Sequence, residues 1–306
     1  MSRLFEALQR SESERSGAPL TQSPPVPTAL LRAAEAQGDD FGRCQPLQVS
    51  VTTESRLVSL TAKGSLGAEK FRFLGVRLRQ LRQNRSVKKV LITSSIAEEG
   101  KSLIAANLAL TLASRQQQRV LLLEGDLRRP VLAHRFGLDR QIGLSEALQG
   151  EFSPARHICY LEEPKLWFMA AGQPPENPLE LLQSGRLTEL MERLATGFDW
   201  VIIDSPPLLP LADTTVWARV TDGVLLVARE GKTERQALKQ GVEALAQSNF
   251  LGVVLNSCSD TDHRNYYQRY SPNPTGDTQG VGVTGHNSNG NSNPVEDRTA
   301  PPRNLP

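Results

Sequence analysis

Short aliphatic runs recur through the middle of the chain, each ending in a polar or glycine-containing stretch. The clearest are Val90-Leu91-Ile92-Thr93, Val120-Leu121-Leu122-Leu123, Trp200-Val201-Ile202-Ile203, residues 223–228 and residues 251–256; residues 166–170 form a weaker one. None alternates apolar with polar residues, so each predicts a strand buried on both faces. Between the runs the period changes. Phe71, Leu74, Leu78 and Leu81 recur at steps of 3, 4 and 3 and predict a helix over 69–82, with Lys70, Arg72, Arg77, Arg79 and Arg82 on its other faces. Residues 103–112, rich in Ala and Leu, predict a helix packed on a sheet. Residues 143–150, 179–194 (one helix or two), 213–219 and 233–247 predict further helices, the last with Leu238, Val242 and Leu245 on one face. Strands alternating with helices imply an α/β fold, a mostly parallel sheet with helices on both faces and right-handed crossovers.

The pattern fades at both ends. Residues 11–60 are polar, with Pro19, Pro24, Pro25 and Pro27 clustered, and read as a linker. Residues 2–10 place Leu4, Phe5 and Leu8 on one helical face, but so short a helix does not hold alone in water. A frayed terminus and a docking peptide fit it equally. Residues 271–306 are mainly Gly, Asn, Ser, Thr and Pro and bury too little to offset their ordering entropy. The expected organisation is a short helix and flexible linker over 1–60, one folded domain over 61–258, and a disordered tail over 259–306.

Composition narrows the classes. A net charge of +2 over 306 residues gives no general reason to expect nucleic acid or a membrane surface as partner. No apolar run is long enough to span a bilayer, and Met1-Ser2-Arg3-Leu4-Phe5 lacks the apolar stretch of a signal peptide. Cys44, Cys159 and Cys258 are scattered without metal or disulfide spacing, which suits a reducing cytoplasm, and the four histidines are isolated.

The chemistry-bearing residues sit at the carboxyl ends of predicted strands, the usual ligand edge of an α/β sheet. After the first strand comes a polar loop, Gly100-Lys101-Ser102, then a helix. This is the layout of a phosphate-binding P-loop, whose backbone N–H groups and helix N-terminus attract anions. Lys101 would reach the β- and γ-phosphates and the Ser102 hydroxyl would ligate Mg²⁺, with Ala97, Glu98, Glu99, Gly100 and Leu103 completing the contact segment. Ser95 stands where the full pattern has glycine, and Glu98 and Glu99 would repel phosphate unless they point to solvent. The second strand runs into Glu124-Gly125-Asp126-Leu127-Arg128. Another ends in Asp204-Ser205-Pro206-Pro207, where a P-loop protein places an acid that contacts Mg²⁺. Three of the four tyrosines, Tyr266, Tyr267 and Tyr270, crowd into five residues after the last strand. Tyr is a poor choice for a polar segment unless its phenol is used; a short docking patch and chance are the other readings.

Together these landmarks resemble the bacterial tyrosine kinases of capsule and exopolysaccharide systems, in the MinD/ParA-like branch of the P-loop ATPases. The likeness covers residues 69–256 and the tyrosines beyond. Residues 95–102 match the family's Walker A loop, 121–128 its Walker A′ motif and 201–206 its Walker B motif. Residues 171–184 also look familiar from that family, and residues 1–8 are similar to the opening of members without a fused membrane domain. The resemblance implies a P-loop NTPase fold and an ATP- and Mg²⁺-dependent protein-tyrosine autokinase that phosphorylates its tail tyrosines in trans. It makes Lys101, Glu124, Asp126 and Asp204 the catalytic set and Ser102, Asp126 and Asp204 the metal set, and puts Asn256 at the adenine. It implies a cytoplasmic homo-oligomer recruited to the membrane by a polysaccharide co-polymerase or activator. Glu124 stands where the family usually has Asp. Of the family's oligomerisation motif, Glu-x-x-Arg-x-x-Arg, Glu69 and Arg72 match and Gly75 replaces the last Arg. The helix over 69–82 is read first as a cover for the sheet, then as a subunit contact through Glu69 and Arg72, and last as a membrane-surface helix. Two rival functions stay open. A MinD/ParA-like ATPase switch carries a Lys four residues before the loop's final Gly, where this chain has Ile96. A nucleotide-binding adaptor without turnover would account for Ser95 and Glu98.

Overall fold

The computed structural model describes residues 41, 44–114, 118–139, 142–150 and 154–258, all within the first of two units that meet at Thr261 and Asp262. The helix expected at 2–10, most of the linker, and Tyr266, Tyr267 and Tyr270 lie outside the described residues. Among the described residues eight strands form one sheet: β1 (Gln45–Leu47), β2 (Lys89–Ser94), β3 (Val120–Glu124), β4 (Cys159–Leu161), β5 (Leu166–Met169), β6 (Trp200–Asp204), β7 (Gly223–Arg229) and β8 (Phe250–Asn256). They lie in the order β1-β4-β5-β3-β6-β2-β7-β8, and every neighbouring pair is parallel except β4 with β5.

β2, β3, β6 and β7 are buried on both sides, as expected of central parallel strands. β8 departs from that expectation: it ends the sheet, and Val253 and Leu255 are exposed. Val90, Ile92, Leu122 and Ile202 point into one apolar core; Leu91, Leu121, Val201 and Ile203 point into the other. The first core is covered by α1 (Val58–Thr61), α2 (Leu66–Asn84), α3 (Lys101–Ala113) and α4 (Leu132–Arg135). The second is covered by α5 (Leu144–Gln149), α6 (Pro178–Leu182), α7 (Arg186–Gly197), α8 (Asp213–Val220) and α9 (Arg235–Ala244). The stretch 179–194 is two helices, because Gly185 takes a left-handed φ of 77° between α6 and α7.

The folded part begins before residue 61. β1 pairs with β4 at the sheet edge, and Leu57 is fully buried. α1 docks on α3 through polar side chains. The Ser59 N–H donates to Asn107 Oδ1 at 3.0 Å, Asn107 Nδ2 donates to the Arg56 carbonyl at 3.2 Å, and the Ser59 and Thr111 hydroxyls meet at 3.0 Å. α3 is therefore enclosed between sheet and helices, which is why its sequence is apolar nearly all round.

α2 packs on α3, outside the layer that lies on the sheet, with Leu78 buried and Phe71 and Leu74 half-buried, while Phe73 and Val76 face outward. Glu69 and Arg72 pair with each other along this helix, and Arg72 also donates to the Lys63 carbonyl. Gly75, the third position of the partial motif, is buried, 3.5 Å from the Thr111 methyl of α3 by the line a Cβ would take.

Candidate active site

β2, β6 and β3 are neighbours, so the three motifs that follow them open on one edge of the sheet. Register fixes their level: Glu124 lies opposite Asp204, and Asp204 lies opposite Ile92. Loop residues Ser95 to Gly100 then turn back to start α3 at Lys101, whose ammonium meets both acidic motifs. Lys101 Nζ donates to Asp126 Oδ2 at 3.1 Å, sits 3.4 Å from the Ser102 hydroxyl and 4.0 Å from Asp204 Oδ1. Burial works against the ammonium, but Asp204, Asp126 and Glu124 together outweigh it and hold the Lys101 pKa above the ordinary lysine value.

Asp204 is fully buried, and neither carboxylate oxygen has a hydrogen-bond partner. Burial pushes its pKa up to about 7, although Lys101 and the Ser102 hydroxyl pull the other way. A buried carboxylate with two orphaned oxygens, next to a serine hydroxyl and a lysine, suits a hard divalent cation bound with a polyphosphate. Among the described residues no group of three or more His, Cys, Asp or Glu is placed to hold a metal ion. An ion here would take most of its ligands from phosphate and water.

The loop resolves its two carboxylates differently. Glu98 turns out to solvent and pairs with Lys232 at 2.5 Å, which, with Arg129 and Arg229, lowers its pKa. Its φ of 63° is left-handed, a conformation costing a non-glycine residue roughly 1–2 kcal/mol. Glu99 is buried and folds back: Oε2 accepts from the Ile96 N–H at 2.9 Å and Oε1 from the Thr233 hydroxyl. Asn256, at the end of β8, donates from Nδ2 to the Glu99 carbonyl at 2.9 Å. Gly100, with φ 93°, is needed for that approach, because a Cβ there would lie 2.2 Å from Asn256 Nδ2. Ala97 is exposed and Leu103 half-buried.

The acidic loop is held from several sides. Asp126 Oδ1 accepts from the N–H groups of Arg128 and Arg129 at 3.3 and 3.0 Å. The Arg128 guanidinium is bidentate on buried Asp213, at 2.8 and 3.0 Å. Glu124 is buried, with Oε1 accepting from the Val131 N–H at 2.6 Å and from the Leu132 N–H, and Oε2 from the Ala171 N–H at 3.3 Å. Burial raises its pKa against the pull of those three donors. Gly125 leaves no room for a side chain: a Cβ would lie 2.8 Å from both the Asp204 carbonyl and the Trp217 ring.

Lys101, Ser102, Asp126 and Asp204 therefore converge, with Glu124 beside them and Asn256 across the loop. Arg128 was legible only as the last residue of the acidic motif, without its partner, and Asp213, Lys232 and Thr233 were not legible as site residues. Their partners come from distant parts of the chain, and a charged residue at a helix start carries no pairing signal of its own.

No family model matches the chain. It is 35% identical to "Tyrosine-protein kinase YwqD" of Bacillus subtilis over 215 residues, covering 70% of this chain and 90% of that one. It is 37% identical over 169 residues to "Tyrosine-protein kinase ptk" of Acinetobacter johnsonii, of which it spans 23%. Among solved structures, the VpsO kinase domain superposes with a TM-score of 0.59 at 32% identity, over 67% of this chain and 98% of that domain. With a P-loop, two acidic motifs on adjacent strands and this likeness, the chain belongs to the bacterial tyrosine kinase family.

Proposed function

We propose that the chain transfers the γ-phosphoryl group of ATP to tyrosine hydroxyls, its own Tyr266, Tyr267 and Tyr270 first. The observation that carries this is the placement of Lys101 within 4.0 Å of both Asp126 and Asp204 at the mouth of a P-loop. Phosphoryl transfer needs positioning and charge neutralisation more than covalent chemistry. Lys101 moves its ammonium from the carboxylates to the β- and γ-phosphates, and the backbone N–H groups at the start of α3 hold the same anion. Ser102, Asp126 and Asp204 would hold Mg²⁺, which would supply further neutralisation of the phosphate charge. The phenol oxygen attacks the γ-phosphorus in line as the bridging P–O bond breaks, and Asp126 receives the phenolic proton. Asn256, bonded to the loop itself, borders the nucleotide on the β8 side.

The wider assignments rest on the family. The protein acts in the cytoplasm as a homo-oligomer, one tail entering a neighbouring site, and a membrane polysaccharide co-polymerase or activator recruits it for capsule or exopolysaccharide synthesis. Each phosphate adds nearly two negative charges beside Arg264 and Arg269, enough to release the tail from an acidic cleft. Among the described residues no helix is long and apolar enough to cross a membrane.

Mass-spectrometric mapping after incubation with ATP and Mg²⁺ tests the proposal. It predicts phosphate on the tail tyrosines of the wild type and none in Lys101→Met. ATP hydrolysis with an unmodified tail favours an ATPase switch, and binding without hydrolysis favours an adaptor.

A further inference from the structure

Glu124 occupies the acidic loop as an anchor. Both of its oxygens are spent on backbone N–H groups: Val131 and Leu132 on one, Ala171 on the other. Val131 and Leu132 open α4, and Ala171 follows β5, the strand beside β3. Two residues on, Asp126 grips the same segment from its other end, through the N–H groups of Arg128 and Arg129. The segment from Arg128 to Leu132 is thus folded over two carboxylates of one strand end. Asp126 has one oxygen in that turn and the other on Lys101, so the turn sets where its free face points. Both Glu124 oxygens are held by backbone N–H groups, whereas Asp126 Oδ2 is held by the Lys101 ammonium, which the phosphates of a nucleotide would draw away. The extra methylene of Glu124 relative to aspartate is what carries its carboxylate out to these N–H groups.

We infer that Glu124 is a positioning residue, which fixes the turn from Arg128 to Leu132 and through it the orientation of Asp126, and that it exchanges no proton with the substrate. This rests on the kinase reading for its kinetic arm, and its exchange arm is independent of activity.

The test compares Glu124→Asp and Glu124→Gln in the full chain by tail-labelling kinetics and by amide hydrogen exchange. Aspartate keeps the charge and loses the reach; glutamine keeps the reach and turns one acceptor into a donor facing donors. Both are therefore expected to lower kcat by tenfold or more while the KM for ATP, set by the P-loop, stays within about twofold. In both, the Val131, Leu132 and Ala171 amides exchange faster without ligand. Full activity in Glu124→Asp with loss in Glu124→Gln would show that the carboxylate's proton chemistry matters, and would overturn the inference. Unchanged exchange at all three amides in both variants overturns it equally, whatever the activity. Wild-type chain that labels no tyrosine, with exchange altered as expected, sinks the kinase reading and leaves the anchor standing.

Discussion

A carboxylate buried without a hydrogen-bond partner is unstable as an anion, and Asp204 is in that position. Its pKa is raised from 3.8 to about 7, so the folded protein holds this proton where the unfolded chain has lost it. The stability it contributes is full below the unfolded value and fades as pH rises through about 7. Asp204→Asn should therefore raise the melting temperature by several degrees at pH 8 without metal, with the gain shrinking toward pH 4. Thermal melts across that range check the slope. Lys101 has the complementary role of neutralising Asp126 and Asp204, so Lys101→Met should lower the melting temperature most at pH 8 and least near pH 5. Gly125 is constrained by space instead. Gly125→Ala drives a methyl into the Asp204 carbonyl and the Trp217 ring, and should cost about 1–3 kcal/mol in urea denaturation.

The elements differ in how readably they are written. Strands β2, β3, β6 and β7 are apolar because both faces are covered, and a run without alternation announces that. β1 and β4 are three residues each, too short to show a period, and β1 contains Pro46. α1 and α4 are four residues each and are held by side chains from elsewhere, Asn107 for one and Glu124 for the other. Such elements exist through tertiary contacts, so local pattern does not reveal them. Asn107 illustrates the consequence. It is fully buried with its amide spent on Ser59, Arg56 and Leu103. Asn107→Ala strands those backbone groups and should cost about 1–3 kcal/mol. Limited proteolysis should then cut within residues 44–61 faster than in wild type.

At the scale of the molecule, strand order makes the site. β6 lies between β2 and β3, so the Walker A, A′ and B motifs, separated by up to a hundred residues, share one edge. The motifs and their strands were readable one at a time, and their convergence followed from the parallel α/β pattern. The strand order, the antiparallel β4–β5 pair and the Arg128–Asp213 clamp were not, because they depend on pairings between distant segments. The measurement that tests the account most directly is calorimetric ATP binding to wild type, Lys101→Met and Asp204→Asn, each with Mg²⁺ and with chelator. One cleft formed by the lysine turn and the acids predicts that wild type binds at least tenfold more tightly with Mg²⁺. It also predicts that Asp204→Asn loses most of that difference and that Lys101→Met binds weakly in both conditions. Equal affinity in all three proteins, with or without Mg²⁺, would contradict it.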